Sequence, residues 1–199
     1  MTGATGQLGS ELHVLSVHYP EYEWVFADRT QVSLSALNVL KNQLHAIQPN
    51  IILNCGAYTA VDKAESEPEL ADLVNHQAVV TIAKYAKEQQ AKLIHVSTDY
   101  VFDGTSSIAL NENAITNPIN VYGATKRAGE VAATAANSDV LIIRTSWVYS
   151  RFGNNFVKTM HRLLKERDIL GVVNDQIGSP TYAADLAQAM MDILKKDNW

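Results

Sequence analysis

The sequence has a single cysteine, Cys55, only five prolines and no long apolar run. One cysteine excludes an internal disulfide framework and fits a reducing compartment. No run reaches the roughly 18 apolar residues that a membrane span needs, and the first residues lack the charged-then-apolar pattern of a secretory signal. We therefore expect a soluble, cytoplasmic protein with no membrane partner.

Basic side chains are also scarce, because 16 Lys and Arg residues stand against 21 Asp and Glu residues and give a formal charge of -5. A nucleic-acid binder needs a basic surface, so we expect no nucleic-acid partner. The six histidines show no metal-ligand spacing, and we expect no metal. Apolar residues make up 47% of the chain, which is enough for a core and excludes disorder as the main state.

Short apolar runs alternate with longer stretches of helical period, and this alternation is typical of βαβ units. The runs predict strands that are buried on both faces, as parallel sheets require. The predicted strands are residues 24–27, 51–55, 93–97, 140–144 and 171–173. The predicted helices are residues 7–18, 35–47, 68–89, 121–136, 154–167 and 183–196. The pattern predicts an α/β fold with a doubly wound, Rossmann-like parallel sheet.

The predicted helix over residues 154–167 carries apolar side chains at steps of three and four residues. This spacing places them on one face, and we interpret that face as part of the core. The stripe consists of Phe156, Val157, Met160, Leu163 and Leu164.

A turn with glycines at Gly3, Gly6 and Gly9 opens directly into the first predicted helix. Such spacing permits a tight turn, a close approach of the backbone to a pyrophosphate, and an anion at the helix N-terminus. Asp28 follows the next predicted strand, where a carboxylate can accept hydrogen bonds from ribose hydroxyls. Arg29 beside it could accommodate a 2′-phosphate, so NADH and NADPH both remain open. The alternatives are an ordinary helix entry and a turn-forming aspartate.

Tyr122 and Lys126 are four residues apart on a predicted helix and hence share one face. A cation beside a phenol favours the phenolate and would pull its pKa toward the working range of an acid or base. Thr98 follows a predicted strand at its carboxyl end, where open α/β sheets bind ligands, and its hydroxyl could polarise a substrate oxygen. The alternatives are a solvated helix face and a simple strand-to-loop turn.

Taken together, the glycine turn, the Tyr122/Lys126 pair and the run from Ser97 to Phe102 resemble the extended short-chain dehydrogenase/reductases. More narrowly, the chain is similar to the dTDP-4-dehydrorhamnose reductase family over nearly its whole length. Four further stretches carry that similarity, namely residues 57–65, 144–149, 153–156 and 174–181.

The resemblance implies a role for individual residues. It makes Tyr122 the proton donor, Lys126 its partner and Thr98 the hydroxyl beside the sugar carbonyl. It implies that the nicotinamide cofactor, NADPH or NADH, contacts Gly3, Gly6, Gln7, Leu8, Gly9, Asp28, Arg29, Ala57, Tyr58, Thr59, Val96, Tyr122 and Lys126. It implies that the sugar contacts Thr98, Asp99, Trp147, Asn155 and Gln176.

The chain also departs from the family. Ser33 and Leu34 stand where the family often has a carboxylate near the adenine, which puts that contact in doubt. Cys55 and Gly56 replace residues that are commonly alanine. We expect Gly56 to loosen the loop and Cys55 to act as a small hydrophobe rather than as a nucleophile.

From the family pattern we expect two regions: an NAD(P)-binding, Rossmann-like domain over residues 1–170 and the start of a substrate-binding region over residues 171–199. The family's first strand and most of its carboxyl-terminal substrate region have no counterpart in the sequence. A missing central strand leaves its neighbours with unpaired backbone edges. If nothing replaces that strand, we expect the 199-residue chain to be poorly stable and inactive.

The resemblance implies a reductase that converts dTDP-4-dehydro-L-rhamnose to dTDP-L-rhamnose, in the synthesis of cell-surface polysaccharide. A dTDP-sugar is then the expected partner, and a homodimer is possible. Two alternatives remain at this point. A nucleotide-sugar epimerase or dehydratase would share the glycine turn and the Tyr/Lys pair, and a non-catalytic regulatory relative would keep the fold for protein binding.

Overall fold

The chain forms a central parallel sheet in the computed structural model, which describes residues 1–137 and 139–196. The sheet has three strands in the order β1-β2-β3, and β2 pairs with both neighbours. A separate parallel pair joins β4 to β5. The strands are β1 (Ile51–Asn54), β2 (Lys92–Thr98), β3 (Val140–Thr145), β4 (Val148–Tyr149) and β5 (Thr181–Tyr182).

Helices connect these strands. They are α1 (Gln7–Leu15), α2 (Leu37–Ile47), α3 (Val61–Ala64), α4 (Pro68–Asp72), α5 (Ala78–Glu88), α6 (Val121–Ala136), α7 (Phe156–Glu166) and α8 (Ala183–Lys196). The predicted helix over residues 68–89 is helical almost throughout, but a π-helical turn, Leu73–Gln77, separates α4 from α5. Short 3-10 turns follow α1 at Ser16–His18 and β2 at Asp99–Val101.

Apolar side chains cover both faces of the sheet. On one face, Leu40 of α2 and Ile82 of α5 pack against Ile52 and Leu93 of the sheet. On the other, Leu12 of α1 and Met190 of α8 pack with further apolar side chains of the sheet. A sheet with helices on both faces is doubly wound, which confirms the predicted fold class.

Residues 24–27 do not form the predicted strand. Among them only Ala27 makes a bridge, and its partner is Thr2, which also bridges Asn54 of β1. Thr2 therefore lies between the two segments in the position of a strand. A continuous ladder needs a partner along its whole length, whereas the described backbone bonds of residues 24–27 are limited to one from Ala4 and two with Met1.

Two predictions for the carboxyl-terminal part are also wrong. Residues 171–173 are exposed and form no strand. They lack both a backbone hydrogen-bond partner and apolar side chains packed over them, and the parallel strand pair in this part of the chain is β4 with β5. The apolar stripe of α7 is not core. No residue of α7 is buried, and the Leu164 side chain is 67% exposed.

The division into two regions at residue 170 stays a prediction. Within the second region, α8 packs on α1 and contributes Met190, Met191 and Leu194 to the core, while residues 197–199 lie outside the described residues. No helix in the described part of the chain is long and apolar enough to cross a membrane.

Candidate functional site

The glycine turn packs tightly against the sheet and the first helix. Gly3 has a φ of +69°, and a Cβ atom there would lie 2.7 Å from the backbone nitrogen of Gly56. A Cβ atom at Gly9 would overlap the carbonyl oxygen of Gly3. Both positions therefore require glycine, whereas Gly6 has an ordinary φ of -75° and serves as the N-cap of α1.

The N-terminus of α1 presents free donors. The N–H groups of Gln7, Leu8 and Gly9 have no hydrogen-bond partner among the described residues, and no side chain caps the helix. Unpaired donors and the positive end of the helix dipole favour an anion. The turn therefore fits the pyrophosphate of a dinucleotide.

Asp28 lies beside this turn, because the carbonyl of the preceding Ala27 accepts a hydrogen bond from Ala4. One carboxylate oxygen of Asp28 accepts bonds from the Thr30 N–H at 2.8 Å, the Thr30 hydroxyl at 2.6 Å and the Gln31 N–H at 3.0 Å. These bonds, led by the one from the Thr30 hydroxyl, lower the pKa of Asp28. Asp28 thus does shape a turn, and its second oxygen has no protein donor in the described structure. Arg29 is exposed.

The loop of Ala57, Tyr58 and Thr59 is held by Asn75, a buried residue that the sequence analysis did not identify. Asn75 Oδ1 accepts from the Tyr58 N–H at 2.9 Å, and its Nδ2 donates to the Tyr58 carbonyl and to the Thr125 hydroxyl. Asn75 therefore fixes this loop to α6. It lies in the π-helical turn, which the sequence pattern does not reveal.

Tyr122, Lys126 and Thr98 come together where β2 ends and α6 begins. Tyr122, Lys126 and Thr98 are all buried, and the Thr98 side chain is near enough to the Tyr122 phenol to influence its pKa. The Thr98 hydroxyl also lies 3.2 Å from a carboxylate oxygen of Asp99. The Tyr122 ring meets the ring of Tyr100 edge to face at 5.4 Å. Asn120 caps α6 by accepting from the Gly123 N–H, which fixes the first turn and hence Tyr122.

The pKa of Tyr122 is raised, which contradicts the expectation that a nearby cation lowers it. Burial is the largest cause, the Thr98 side chain acts in the opposite direction, and the charge of Asp99 raises the pKa further. A raised pKa keeps the phenol protonated at neutral pH, so Tyr122 is ready to donate a proton.

Lys126 is 2% exposed, and its Nζ donates to the carbonyl oxygen of Val96 at 2.7 Å. This bond places the ammonium at the end of β2. Burial lowers the pKa of Lys126 to about 8, while the charge of Glu130 acts in the opposite direction. Lys126 is therefore mostly a cation at neutral pH.

Glu130 lies one helical turn after Lys126, and the sequence analysis did not identify it. Its buried carboxylate accepts two bonds from the Arg144 guanidinium, at 2.9 and 2.7 Å, and one from Arg127 at 3.1 Å. The spacing of four residues from Lys126 was available in the sequence. The partner on β3 was not, because it depends on the tertiary fold.

The turn before α7 is joined to α1. Gln7 Nε2 donates to the Val148 carbonyl, and Gln7 Oε1 accepts from Asn155 Nδ2. Asn155 Oδ1 accepts from the Lys158 N–H, so Asn155 is the N-cap of α7. Nearby, the Ser150 hydroxyl donates to the buried Glu11 carboxylate at 2.6 Å. The described contacts of Asn155 are thus structural.

Trp147 lies at the surface between α7 and the following loop. Its backbone is in the left-handed region, with a φ of +47°, and its side chain is 41% exposed. The ring meets Phe156 edge to face at 5.7 Å, and its Nε1 lies against Gly178. Trp147 is therefore not a buried core aromatic. Gln176 lies in an exposed segment and makes no hydrogen bond in the described structure.

Two of the residues that depart from the family pattern, Leu34 and Gly56, pack against each other. A Cβ atom at Gly56 would lie 2.8 Å from Cδ1 of Leu34, and the Gly56 N–H donates to the Thr2 hydroxyl. The structure therefore shows a packed position where we expected a loosened loop. Burial raises the pKa of the Cys55 thiol to about 12, so it stays protonated at neutral pH.

Within residues 1–137 and 139–196, no cluster of His, Cys, Asp and Glu could hold a metal.

The family model described as the RmlD substrate binding domain matches residues 1–199. The chain belongs to this family. It is 48% identical over 195 residues to a dTDP-4-dehydrorhamnose reductase of Salmonella typhimurium, covering 93% of the chain and 62% of that protein. Overall, the chain spans about two thirds of the length of the curated relatives it matches.

Solved structures of the same family give a matching fold. A dTDP-4-dehydrorhamnose reductase of Clostridium acetobutylicum superposes with a TM-score of 0.95 at 37% identity, covering 100% of this chain and 70% of that one. A second, from Bacillus anthracis and in complex with NADP, has a TM-score of 0.92 at 42% identity, covering 98% of this chain and 69% of that one.

Proposed function

We propose that the chain carries the reductive site of an enzyme that reduces the 4-keto group of dTDP-4-dehydro-L-rhamnose to give dTDP-L-rhamnose, with NADPH or NADH as the reductant. The observation that carries the proposal is the joint burial of Thr98, Tyr122 and Lys126 at the end of β2, where the Lys126 ammonium bonds the Val96 carbonyl and Thr98 influences the pKa of the Tyr122 phenol. Its relatives named as dTDP-4-dehydrorhamnose reductases support the substrate, and the NADP-bound relative supports the cofactor.

The glycine turn, with the free N–H groups of Gln7, Leu8 and Gly9, would hold the pyrophosphate. The second oxygen of Asp28 would accept from the adenosine ribose, and the loop of Ala57 and Thr59 would border the cofactor. When bound, the reduced nicotinamide supplies a hydride to the carbonyl carbon.

Tyr122 completes the reduction by donating its phenolic proton to the carbonyl oxygen as negative charge develops there. The Thr98 hydroxyl shares in orienting that oxygen and remains close to the phenolate that is left. The ammonium of Lys126 stabilises the phenolate through its positive charge. The product is an alcohol that has gained one hydride and one proton.

Trp147, Asp99, Asn155 and Gln176 were predicted to contact the sugar. We retain Trp147 and Asp99 in that role, because Trp147 is exposed and Asp99 adjoins Thr98. Asn155 caps α7 and bonds Gln7, so these contacts support an indirect role in which Asn155 positions α7 rather than contacting the sugar. Gln176 stays a prediction, as do the homodimer and the cytoplasmic location.

The test follows the absorbance of reduced nicotinamide during incubation with dTDP-4-dehydro-L-rhamnose. Tyr122→Phe removes the acid and should lower the rate at least about 100-fold, the scale of general acid catalysis. Tyr85→Phe removes the hydroxyl of another buried tyrosine, in α5, and should leave the rate unchanged. A Tyr122→Phe variant that keeps the full rate would overturn the assignment. Copurified NAD without net consumption would instead favour an epimerase.

A further inference from the structure

One face of α1 holds the segment that follows Trp147. Gln7 and Glu11 are four residues apart on α1, so their side chains share a face of the helix. Gln7 Nε2 donates to the Val148 carbonyl at 3.1 Å, and the Glu11 carboxylate accepts a 2.6 Å bond from the Ser150 hydroxyl. Two side chains of a single helix therefore hold β4 and the residue that follows it.

Residues 150–155 connect β4 to α7 and also lie against Gln7. Asn155 Nδ2 donates to the Ser150 carbonyl at 2.8 Å as well as to Gln7 Oε1. Gly153 has a φ of +60°, and a Cβ atom there would lie 3.1 Å from Cγ of Gln7. The backbone of this connection is therefore in close contact with the Gln7 side chain.

The Gln7 amide has one orientation that satisfies both of its partners. A carbonyl oxygen only accepts a hydrogen bond, and an asparagine Nδ2 only donates one. Nε2 of Gln7 must therefore face Val148, and Oε1 must face Asn155. A methionine at this position would make neither bond. A glutamate could keep the bond from Asn155 but has no donor for Val148.

Trp147 has a backbone conformation that its neighbours must hold in place. Its φ of +47° is in the left-handed region, which is unfavourable for a residue with a bulky side chain. Such conformations persist where the surrounding structure fixes them. The Trp147 carbonyl accepts from the Thr181 N–H at 3.4 Å, and Gln7 holds the carbonyl of the next residue, Val148. Loss of the bond from Gln7 would free Trp147 to leave the left-handed region, and its ring would then move.

The backbone and the side chain of Gln7 face different parts of the proposed site. Its N–H is one of the α1 donors that have no partner among the described residues, where the pyrophosphate would bind. Its side chain reaches the segment that begins with Trp147, whose ring is partly exposed. One residue therefore joins the cofactor turn to the tryptophan.

We propose that Gln7 is a positioning residue for the sugar: through the Val148 carbonyl, its side-chain amide fixes the place of the Trp147 ring relative to the cofactor turn. This role rests on the proposed function, in which Trp147 contacts the sugar. It is separate from the contact that the Gln7 N–H would make with the pyrophosphate, because a substitution of the side chain leaves that N–H in place.

The test uses the ¹⁵N-labelled chain and the indole N–H signal of Trp147, which Trp147→Phe identifies. Gln7→Met keeps the length of the side chain but removes both bonds, so it should shift the indole signal. It should also weaken the binding of dTDP-L-rhamnose about fivefold, the equivalent of one lost hydrogen bond. The affinity for ADP-ribose should change less than about twofold, a difference between the two ligands that a merely structural role would not produce.

Two further variants complete the comparison. Gln7→Glu loses the donor to Val148 and should also shift the indole signal, and it decides this point if Gln7→Met does not fold. Gln188→Met is the matched control, because it removes an amide that bonds the Tyr19 hydroxyl at 2.8 Å, away from Trp147. It should change neither the indole signal nor the affinity for dTDP-L-rhamnose.

An indole signal that neither Gln7 variant shifts would overturn the proposal. An unchanged affinity of Gln7→Met for dTDP-L-rhamnose, or an equal loss of affinity for both ligands, would overturn it as well. If the unsubstituted chain binds no dTDP-L-rhamnose, the proposed function fails at the sugar, and the indole signal still decides whether Gln7 fixes Trp147.

Discussion

Asn155 Nδ2 donates a 2.9 Å hydrogen bond to Gln7 Oε1 across 148 positions of the sequence. The same side chain caps α7, so two substitutions separate its roles. Asn155→Ala removes both the bond to Gln7 and the cap of α7, and it should lower the free energy of unfolding by about 1–2 kcal/mol. Asn155→Asp keeps the cap and should cost about half as much. Urea unfolding measures the difference, and equal losses would show that the cap contributes nothing.

The second prediction concerns the glycine turn. Gly3→Ala forces a Cβ atom against Gly56 at a φ of +69° and should cost more than about 2 kcal/mol. Gly104 has a similar φ of +73° but no atom within 4 Å, so Gly104→Ala measures the conformational cost alone, about 1 kcal/mol. Denaturant unfolding of both variants tests this. Equal costs would contradict the close contact with Gly56.

The third prediction is a pH dependence from Lys126. Its pKa is about 8 in the folded chain, against an ordinary value of 10.5, so the unfolded chain binds the proton more readily between these values. The contribution of Lys126 to stability is therefore fully present above pH 10.5 and is lost as the pH falls toward 8. The loss is roughly 1.4 kcal/mol for each pKa unit.

Lys126→Met should abolish this slope. The measurement compares the free energy of unfolding of the unsubstituted chain with that of the Lys126→Met variant between pH 8 and pH 10.5. The difference between the two values should change with pH. Both proteins keep Cys55, whose thiol has a pKa of about 12, so the comparison isolates the lysine. A constant difference would show that Lys126 is not desolvated in the folded chain.

The fourth prediction concerns the exposed face of α7. Leu164 is 67% exposed, so Leu164→Glu should change the free energy of unfolding by less than about 0.5 kcal/mol. Ile82 of α5 is fully buried, and Ile82→Ala should cost about 2–5 kcal/mol. Thermal or urea unfolding distinguishes them. A large loss from Leu164→Glu would mean that this face is covered in solution.

The sequence predicted the fold best where local pattern and tertiary packing agree. The helical spacing of Tyr122 and Lys126 places them together because α6 is regular. The prediction of a buried face was wrong at α7, since a stripe of apolar residues indicates which face of a helix would be buried but not whether another element packs against it. At residues 24–27 the apolar composition likewise predicted a strand, but it could not show whether a neighbouring strand pairs with that segment.

The same limit applies to the site. The sequence predicted that Thr98, Tyr122 and Lys126 lie near one another, and their catalytic roles stay a prediction, but it predicted the wrong direction for the pKa of Tyr122. Burial, which depends on the whole fold, is the largest cause of the raised pKa. Asn75 and the partner of Glu130 depend on contacts between distant segments, and no local pattern indicates them.

The ion pair of Glu130 has a consequence for how this chain can change over time. Its buried carboxylate lies between the partly exposed Arg127 and Arg144 guanidiniums, so its loss would leave two like charges without the anion that joins them. We therefore expect the replacement of Glu130 alone to destabilise the chain more than its replacement together with Arg144. In descendants of this sequence, an uncharged residue at one of these two positions should be accompanied by an uncharged residue at the other.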